Sequence, residues 1–268
     1  MTKKYTAFTA DKYELYQRAV QSAEQDVEFL YQTYKALKGK KPKHLREDFC
    51  GTCLLSANWA KLGKKFTTES YDIDPEPLAW GKLNNLLPLE EVGRRVTQYE
   101  EDARVPSRRA PDVRCAQNFS YWIFKTRAEM LAYVKAVHKD LADDGIFVVD
   151  LHGGPESQQE LEEETEMDDG SFTYVWDQDS INPITGEARL HIHFRFPDST
   201  QLTDAFTYDW RLWGLPELRD IFVEAGFSSC ECYWEGTDED GESGDGIFTQ
   251  TEEGEACLSY VAYLVAQK

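Results

Sequence analysis

Positive charge is scarce in this 268-residue chain: 29 Lys and Arg stand against 49 Asp and Glu, a formal charge of −20. Such a surface repels phosphates, which argues against nucleic acid and anionic membranes as partners. Long apolar runs are missing as well, and nothing approaches the roughly 18 apolar residues that span a bilayer. The polar, aromatic sequence behind Met1 to Lys4 holds no apolar segment of a secretion signal, so a cytoplasmic location is expected. Cysteine is limited to six residues. Cys50 and Cys53 have CxxC spacing, but no second such pair completes a zinc site, and Cys230 and Cys232 alternate within a strand-like run. No metal or disulfide is expected. What remains is 41% hydrophobic and 13% aromatic, enough for a substantial core and incompatible with overall disorder.

The negative charge is concentrated. Residues 156–169 hold eight acids and residues 235–255 nine, with no Lys or Arg in either run. The rest of the chain is near balance, 32 acids against 29 bases. Both runs read as solvated loops, with a lid or collar for cationic substrates as the sharper alternative.

The remaining pattern is ordered. Residues 11–38 carry a helical stripe of Tyr13, Tyr16, Val20, Ala23, Val27, Leu30 and Tyr34. Asp11 with Glu14 and Ser22 with Gln25 fit capping boxes, which divides the stretch into two helices. Strands at 44–49, 65–71, 96–100, 113–119 and 145–151 then alternate with helices at 52–62, 75–87 and 127–141. That rhythm predicts a parallel sheet with helices on both faces. It breaks at three Thr- and aromatic-rich runs, 172–178, 190–196 and 204–210, which predict an antiparallel meander. A helix at 215–225 and strands at 230–234 and 258–266 close the chain. The expected fold is α/β: a doubly wound, mostly parallel seven-stranded sheet with an N-terminal helical cap and an antiparallel insert after strand five. The expected parts are the cap (1–43), the core (44–154), the acidic loop with the insert (155–213) and the end of the core sheet (214–268). The insert suits substrate binding or a homodimer contact.

The chemistry concentrates at three strand ends. Glu47-Asp48-Phe49-Cys50-Gly51-Thr52-Cys53 joins a strand to a helix, where Gly51 gives a bare backbone approach and Thr52 can cap. Asp72, in Tyr71-Asp72-Ile73-Asp74, can accept both hydroxyls of a ribose, while Asp74 suits a helix cap. Asp102, in Glu101-Asp102-Ala103, can accept the amine of adenine. No basic residue follows Gly51 to meet a pyrophosphate, which disfavours NAD(P) and ATP.

On these residues the chain resembles the class I S-adenosylmethionine (SAM)-dependent methyltransferases over nearly its whole length. Residues 47–53 resemble the family's acid-x-Gly-x-Gly-x-Gly loop, with Phe49 and Cys53 in place of the first and third glycines. Asp72 resembles the ribose-binding acid and Asp102 the acid near adenine. Residues 115–119 resemble the segment beside the methionine moiety, and residues 215–227 the helix ahead of the last two strands. The resemblance implies SAM as cofactor, held by Glu47, Asp48, Cys50, Gly51, Thr52, Asp72, Ile73, Asp102, Ala103, Gln117, Asn118 and Phe119.

It further implies methyl transfer to a small molecule, chiefly by holding the acceptor in line with the sulfonium methyl. An amine is one acceptor class, and the insert after strand five resembles the layout of N-methyltransferases acting on amino sugars. Candidate acceptor residues are Tyr13, Tyr16, Gln17 and Arg18 of the first helix, Tyr121 and Trp122 after strand four, and His191, His193 and Arg195 of the insert. His191 and His193 share a strand face, where a structural pair competes with a base. His152, directly after strand five, is the candidate general base, and Tyr16 is the second catalytic candidate. Two other readings stand beside this one: an aminopropyltransferase, for which residues 115–122 lack paired acids, and a non-catalytic SAM-binding protein, suggested by the lost glycines.

Overall fold

The structure is a computed structural model that describes residues 5–238 and 244–268. Helix α1 (Lys12–Ala19) starts where the Asp11 carboxylate accepts the amides of Tyr13 and Glu14. Helix α2 (Ala23–Lys38) ends at Gly39, whose φ of 64° is left-handed. Ser22, expected to cap α2, makes no such bond.

Strands β1 (His44–Asp48), β2 (Thr67–Asp72), β3 (Val96–Glu100), β4 (Val113–Ala116) and β5 (Ile146–Gly153) then alternate with α3 (Leu54–Lys61), α4 (Pro75–Gly81) and α5 (Arg127–Asp140). Strands β6 (Leu161–Glu166), β7 (Thr173–Ile181), β8 (Glu187–Arg195) and β9 (Gln201–Arg211) form a separate antiparallel sheet. Helix α6 (Leu215–Ala225) precedes β10 (Ser229–Thr237), β11 (Gly244–Gln250) and β12 (Tyr260–Gln267). The main sheet runs β11-β10-β12-β5-β4-β1-β2-β3, with the five strands from β5 to β3 parallel and the other three antiparallel.

The expected seven strands are therefore eight, in a mixed sheet. The additional edge strand, β11, comes from the second acidic run, and β6 comes from the first, so neither run is wholly loop. Both escaped the sequence pattern because they are edge strands held by backbone pairing, without an alternating apolar face. Glu239 to Ser243 of the second run lie outside the described residues. No helix among the described residues is long and apolar enough to cross a membrane.

Alternation along the strands sends successive side chains to two cores. Val113, Cys115, Val148 and Val265 meet Val27, Leu30 and Tyr34 of α2 and Trp59 of α3. Ala116, Phe147, Val149 and Leu264 meet Met130 and Tyr133 of α5 and Leu218 and Phe222 of α6. The insert joins this second core through Ala188, Leu190 and Trp210. Its Phe172, Ile192 and Phe194 pack against Tyr5 and Leu15, so the segment around α1 lies between sheet and insert.

Candidate active site

The loops after β1, β2, β3 and β4 meet at the carboxyl edge of the parallel strands, where a cleft of about 650 Å³ opens. After β1 the chain turns into α3 with Phe49, Gly51 and Cys53 at φ 55°, 48° and 57°. Residues with a Cβ seldom adopt this region. These are the three positions where the resemblance expects glycine, so the loop keeps the left-handed backbone although two glycines are gone. A Cβ built on Gly51 would meet no atom within 4 Å, and Gly51 and Cys50 line the cleft.

Asp72 fastens this loop to β2. Its Oδ2 accepts the Gly51 amide at 2.7 Å and its Oδ1 the Asp74 amide at 3.0 Å. Burial pushes its pKa up, against the backbone bonds that favour the anion. Ile73, two-thirds exposed, also lines the cleft. Asp74 caps α4 through the Glu76 amide.

Glu47 and Asp48 do not line the cleft. As neighbours on β1 they point to opposite faces. Glu47 Oε2 accepts the Ser56 amide at 3.0 Å and its hydroxyl at 2.5 Å, capping the first turn of α3, where Cys53 offers no capping bond. Burial raises its pKa to about 8. Asp48 is wholly enclosed, with Arg46, Arg114 and Tyr133 each bonded to its carboxylate at 2.7 Å. Thr52 lines the cleft but does not cap α3; its hydroxyl accepts Gln17 Nε2 at 2.6 Å. Gln17 is thus a clamp between α1 and the loop, and it lies outside the lining.

After β3, Asp102 and Ala103 line the cleft. Arg104 chelates the Asp102 carboxylate at 2.6 and 2.8 Å and depresses its pKa. The buried guanidiniums of Arg46 and Arg114 both donate to the Ala103 carbonyl, at 2.7 and 2.5 Å. The charged network in the core therefore sets the height of this loop.

After β4, Asn118 and Phe119 are both left-handed, and their amides donate to Asp150 at 2.6 and 3.0 Å. Asn118 lines the cleft, whereas Phe119 faces a neighbouring chamber. Gln117 is 7% exposed, and neither atom of its amide has a partner. Tyr121 and Trp122 sit behind the wall: the Tyr121 hydroxyl donates to the Asp150 carbonyl, and Trp122 stacks on Phe119. A short 3₁₀ turn over Ser120–Ile123 presents Ser120, Ile123 and Phe124 instead.

The cleft is roofed by α1 and β9. Tyr13, Tyr16 and Gln21 face Phe206, Thr207, Tyr208 and Trp210. The Tyr16 ring lies 4.9 Å from Phe206, and Tyr13 lies 5.8 Å from it. The Lys12 ammonium sits 4.9 Å from the Tyr13 ring centre and 5.6 Å from that of Phe206. Trp80 Nε1 to Asp11 at 2.7 Å and Lys12 to Glu76 at 3.0 Å fasten α1 to α4. Burial pushes the Tyr16 hydroxyl upward and keeps it neutral.

The other candidates lie elsewhere. Arg18 bonds Tyr5 and Asp169, pinning α1 to the insert. His152 shares a hydrogen bond with Ser259 because β12 covers that end of β5; the ring is outside the cleft, and burial lowers its pKa. His191 and His193 stack at 5.8 Å, and His193 is held by Asp177 and the Asp204 amide across neighbouring strands. Arg195 pairs with Glu162 and Glu164 of β6. Sequence reasoning missed Lys12, Gln21, Phe206, Thr207 and Tyr208. The signal was the two-residue spacing of Phe206, Tyr208 and Trp210, which puts three aromatics on one strand face.

No protein-family model matches this sequence, and no curated protein does. Solved structures do match it. A SAM-dependent methyltransferase from Clostridium acetobutylicum superposes with a TM-score of 0.68 at 13% identity, over 95% of this chain and 96% of that one. The fold is that of a SAM-dependent methyltransferase. The methyltransferase fold extends to the insert: SAM-bound CalS10, an amino pentose methyltransferase from Micromonospora echinaspora, matches at TM-score 0.66 and 16% identity over 100% of this chain and 99% of that one. KedS8, a sugar N-methyltransferase from Streptoalloteichus, matches at 0.61 and 17% over 100% and 97%.

Proposed function

We propose that the protein is a SAM-dependent methyltransferase acting on an amine of a small acceptor. The observation that carries this reading is a single cleft that joins the Asp72-anchored loop to an aromatic roof of Tyr13, Tyr16, Phe206 and Tyr208. Its volume falls in the roughly 300–1,000 Å³ of small-molecule sites. The residues fit the cofactor: Asp72 borders the cleft with lone pairs beyond those its two amides use, Gly51 offers bare backbone, and the cleft wall after β4 is polar at Asn118. SAM supplies an electrophilic methyl group when bound.

The chain's own work is then positioning. Aromatic faces attract an amine's cationic form at entry and exclude water around it. The attacking amine must be neutral, and among the described residues no histidine lines the cleft to take a proton. Turnover should therefore rise with pH until the acceptor amine is deprotonated. Incubation with methyl-labelled SAM and a panel of small amines and amino sugars tests the reading, with labelled N-methyl product expected. Absence of S-adenosylhomocysteine binding at millimolar concentration overturns the cofactor; label appearing only on oxygen or sulfur acceptors overturns the amine.

A further inference from the structure

A second chamber of about 270 Å³ lies beside the cleft, on the α2 face of the sheet, and Asn118 lines both. Among the described residues its walls carry three carboxylates, Asp26, Asp150 and Glu235, and no Lys, Arg or His. Their partners among the described residues are all neutral donors: Tyr263 for Asp26, the Asn118 and Phe119 amides for Asp150, and the Gly246 amide for Glu235. Between them stand Phe29, Phe248 and Tyr263, with ring centres 4.3 Å apart for Phe29 with Tyr263 and for Phe248 with Tyr263. Carboxylates without a basic partner, set among aromatic faces, are the complement of an organic cation.

A separate observation points the same way. Gln117 is buried, and its amide has no hydrogen-bond partner at either end. Gln117 directly follows β4, and continued alternation puts it on the face of Val113 and Cys115. Asp150 and its cross-strand neighbour Tyr263 also project to that face, and Gln117 stands beside the chamber's lining rather than within it. A buried amide left orphaned in the protein alone calls for a ligand or ordered water beside it. The carboxylates carry strain too: burial raises Asp26 to about 6 and Asp150 to about 7, the latter also through repulsion from Asp26.

We infer that this chamber is a second subsite that binds a protonated alkylammonium, so that the acceptor carries two amino groups, one in the chamber and one presented to the cleft. The inference rests on the methyltransferase reading. The same chemistry could come from the α-ammonium of SAM itself, and the test separates the two sources. The full chain is titrated calorimetrically with 1,4-diaminobutane, and with neutral 1,4-butanediol, with and without saturating S-adenosylhomocysteine. Expected is one diamine per chain, no diol binding, and retained diamine binding when S-adenosylhomocysteine is present. Asp26→Asn and Glu235→Gln should each weaken the diamine at least tenfold and leave S-adenosylhomocysteine within threefold. Mutual exclusion of diamine and S-adenosylhomocysteine assigns the chamber to the cofactor and overturns the inference. So does a diamine affinity that is undetectable, or unchanged in both variants. Failure of S-adenosylhomocysteine to bind at all is a separate result, against the underlying function.

Discussion

The carboxylate of Asp72 accepts the backbone amide of Gly51 at 2.7 Å, so one side chain at the end of β2 holds the turn that follows β1. The acid read from sequence as a ribose ligand is also the anchor of the loop it serves. Asp72→Ala should weaken S-adenosylhomocysteine binding by one to several orders of magnitude, since charge-assisted bonds contribute about 1.5–3 kcal/mol each. Titration calorimetry on a variant with an unchanged circular dichroism spectrum measures this. An unaltered dissociation constant rejects the role.

The left-handed Cys53 makes a second prediction. A Cβ in that region costs about 1–2 kcal/mol, and Cys53→Gly removes the strain while forfeiting a small buried side chain of similar worth. The variant should unfold in denaturant within about 1 kcal/mol of the parent. A loss above about 3 kcal/mol would show that the backbone there is not strained.

Much of the fold was legible because burial writes periodicity into sequence. The strand expected at 96–100 is β3 to the residue, and the other parallel strands and their helices fall within a few residues of expectation. The exception is the helix expected at 75–87, which is α-helical only over Pro75–Gly81 and continues as a π-helical turn over Lys82–Leu86. Strands β6 and β11 were not legible, since glutamates and glycines there are compatible with solvent and pairing alone makes the strand. Of the residues expected to hold the cofactor, Cys50, Gly51, Thr52, Asp72, Ile73, Asp102, Ala103 and Asn118 line the cleft, all of them near strand ends. Side-chain direction was the harder part. Glu47 and Asp48 lie just before the same turn, yet one caps α3 and the other enters the core, because the cleft begins only at Phe49.

Asp48 is the clearer structural case. It is the shared counter-ion of Arg46 and Arg114, all three fully enclosed. Asp48→Asn leaves two buried guanidiniums short of charge and should cost about 3–5 kcal/mol. Chemical denaturation reads the loss, and S-adenosylhomocysteine affinity of the folded variant should stay within about threefold. A stable variant with weakened cofactor affinity would return Asp48 to the binding site.

Glu47 predicts a pH effect. Its folded-state pKa of about 8 lies above the ordinary 4.5, so the folded protein holds a proton that the unfolded chain releases. Stability from this group is present below the unfolded value and is lost as pH rises through the folded one. Asp26 and Asp150, raised to about 6 and about 7, act in the same direction. Glu47→Gln keeps an oxygen for Ser56 and cannot ionise. Its stability relative to the parent should therefore climb between pH 5 and 8, at up to about 1.4 kcal/mol per unit. Urea midpoints at three pH values check this; a difference independent of pH contradicts it.

The final prediction concerns α1 as the roof of the proposed methyl-transfer site. Tyr13 and Tyr16 face the cleft, while Gln17 clamps Thr52 and Arg18 grips the insert, so the helix is tied to both walls. None of the Asp72, Gly51 or Asp102 contacts depends on it. Removing residues 1–20 should then leave S-adenosylhomocysteine binding within about tenfold while abolishing transfer to an acceptor. That truncation also bares Phe172 and Phe194, which pack under Tyr5 and Leu15, so a point variant is the safer probe. Tyr16→Ala opens the roof beside Phe206 and Tyr208 without unseating the helix. It should raise the KM for the acceptor, or lower kcat, by at least tenfold, with cofactor affinity little changed. Tyr16→Phe keeps the ring and should recover most of the loss if the tyrosine acts by shape, and little of it if the neutral hydroxyl contacts the acceptor. Normal turnover in Tyr16→Ala would reduce α1 to packing.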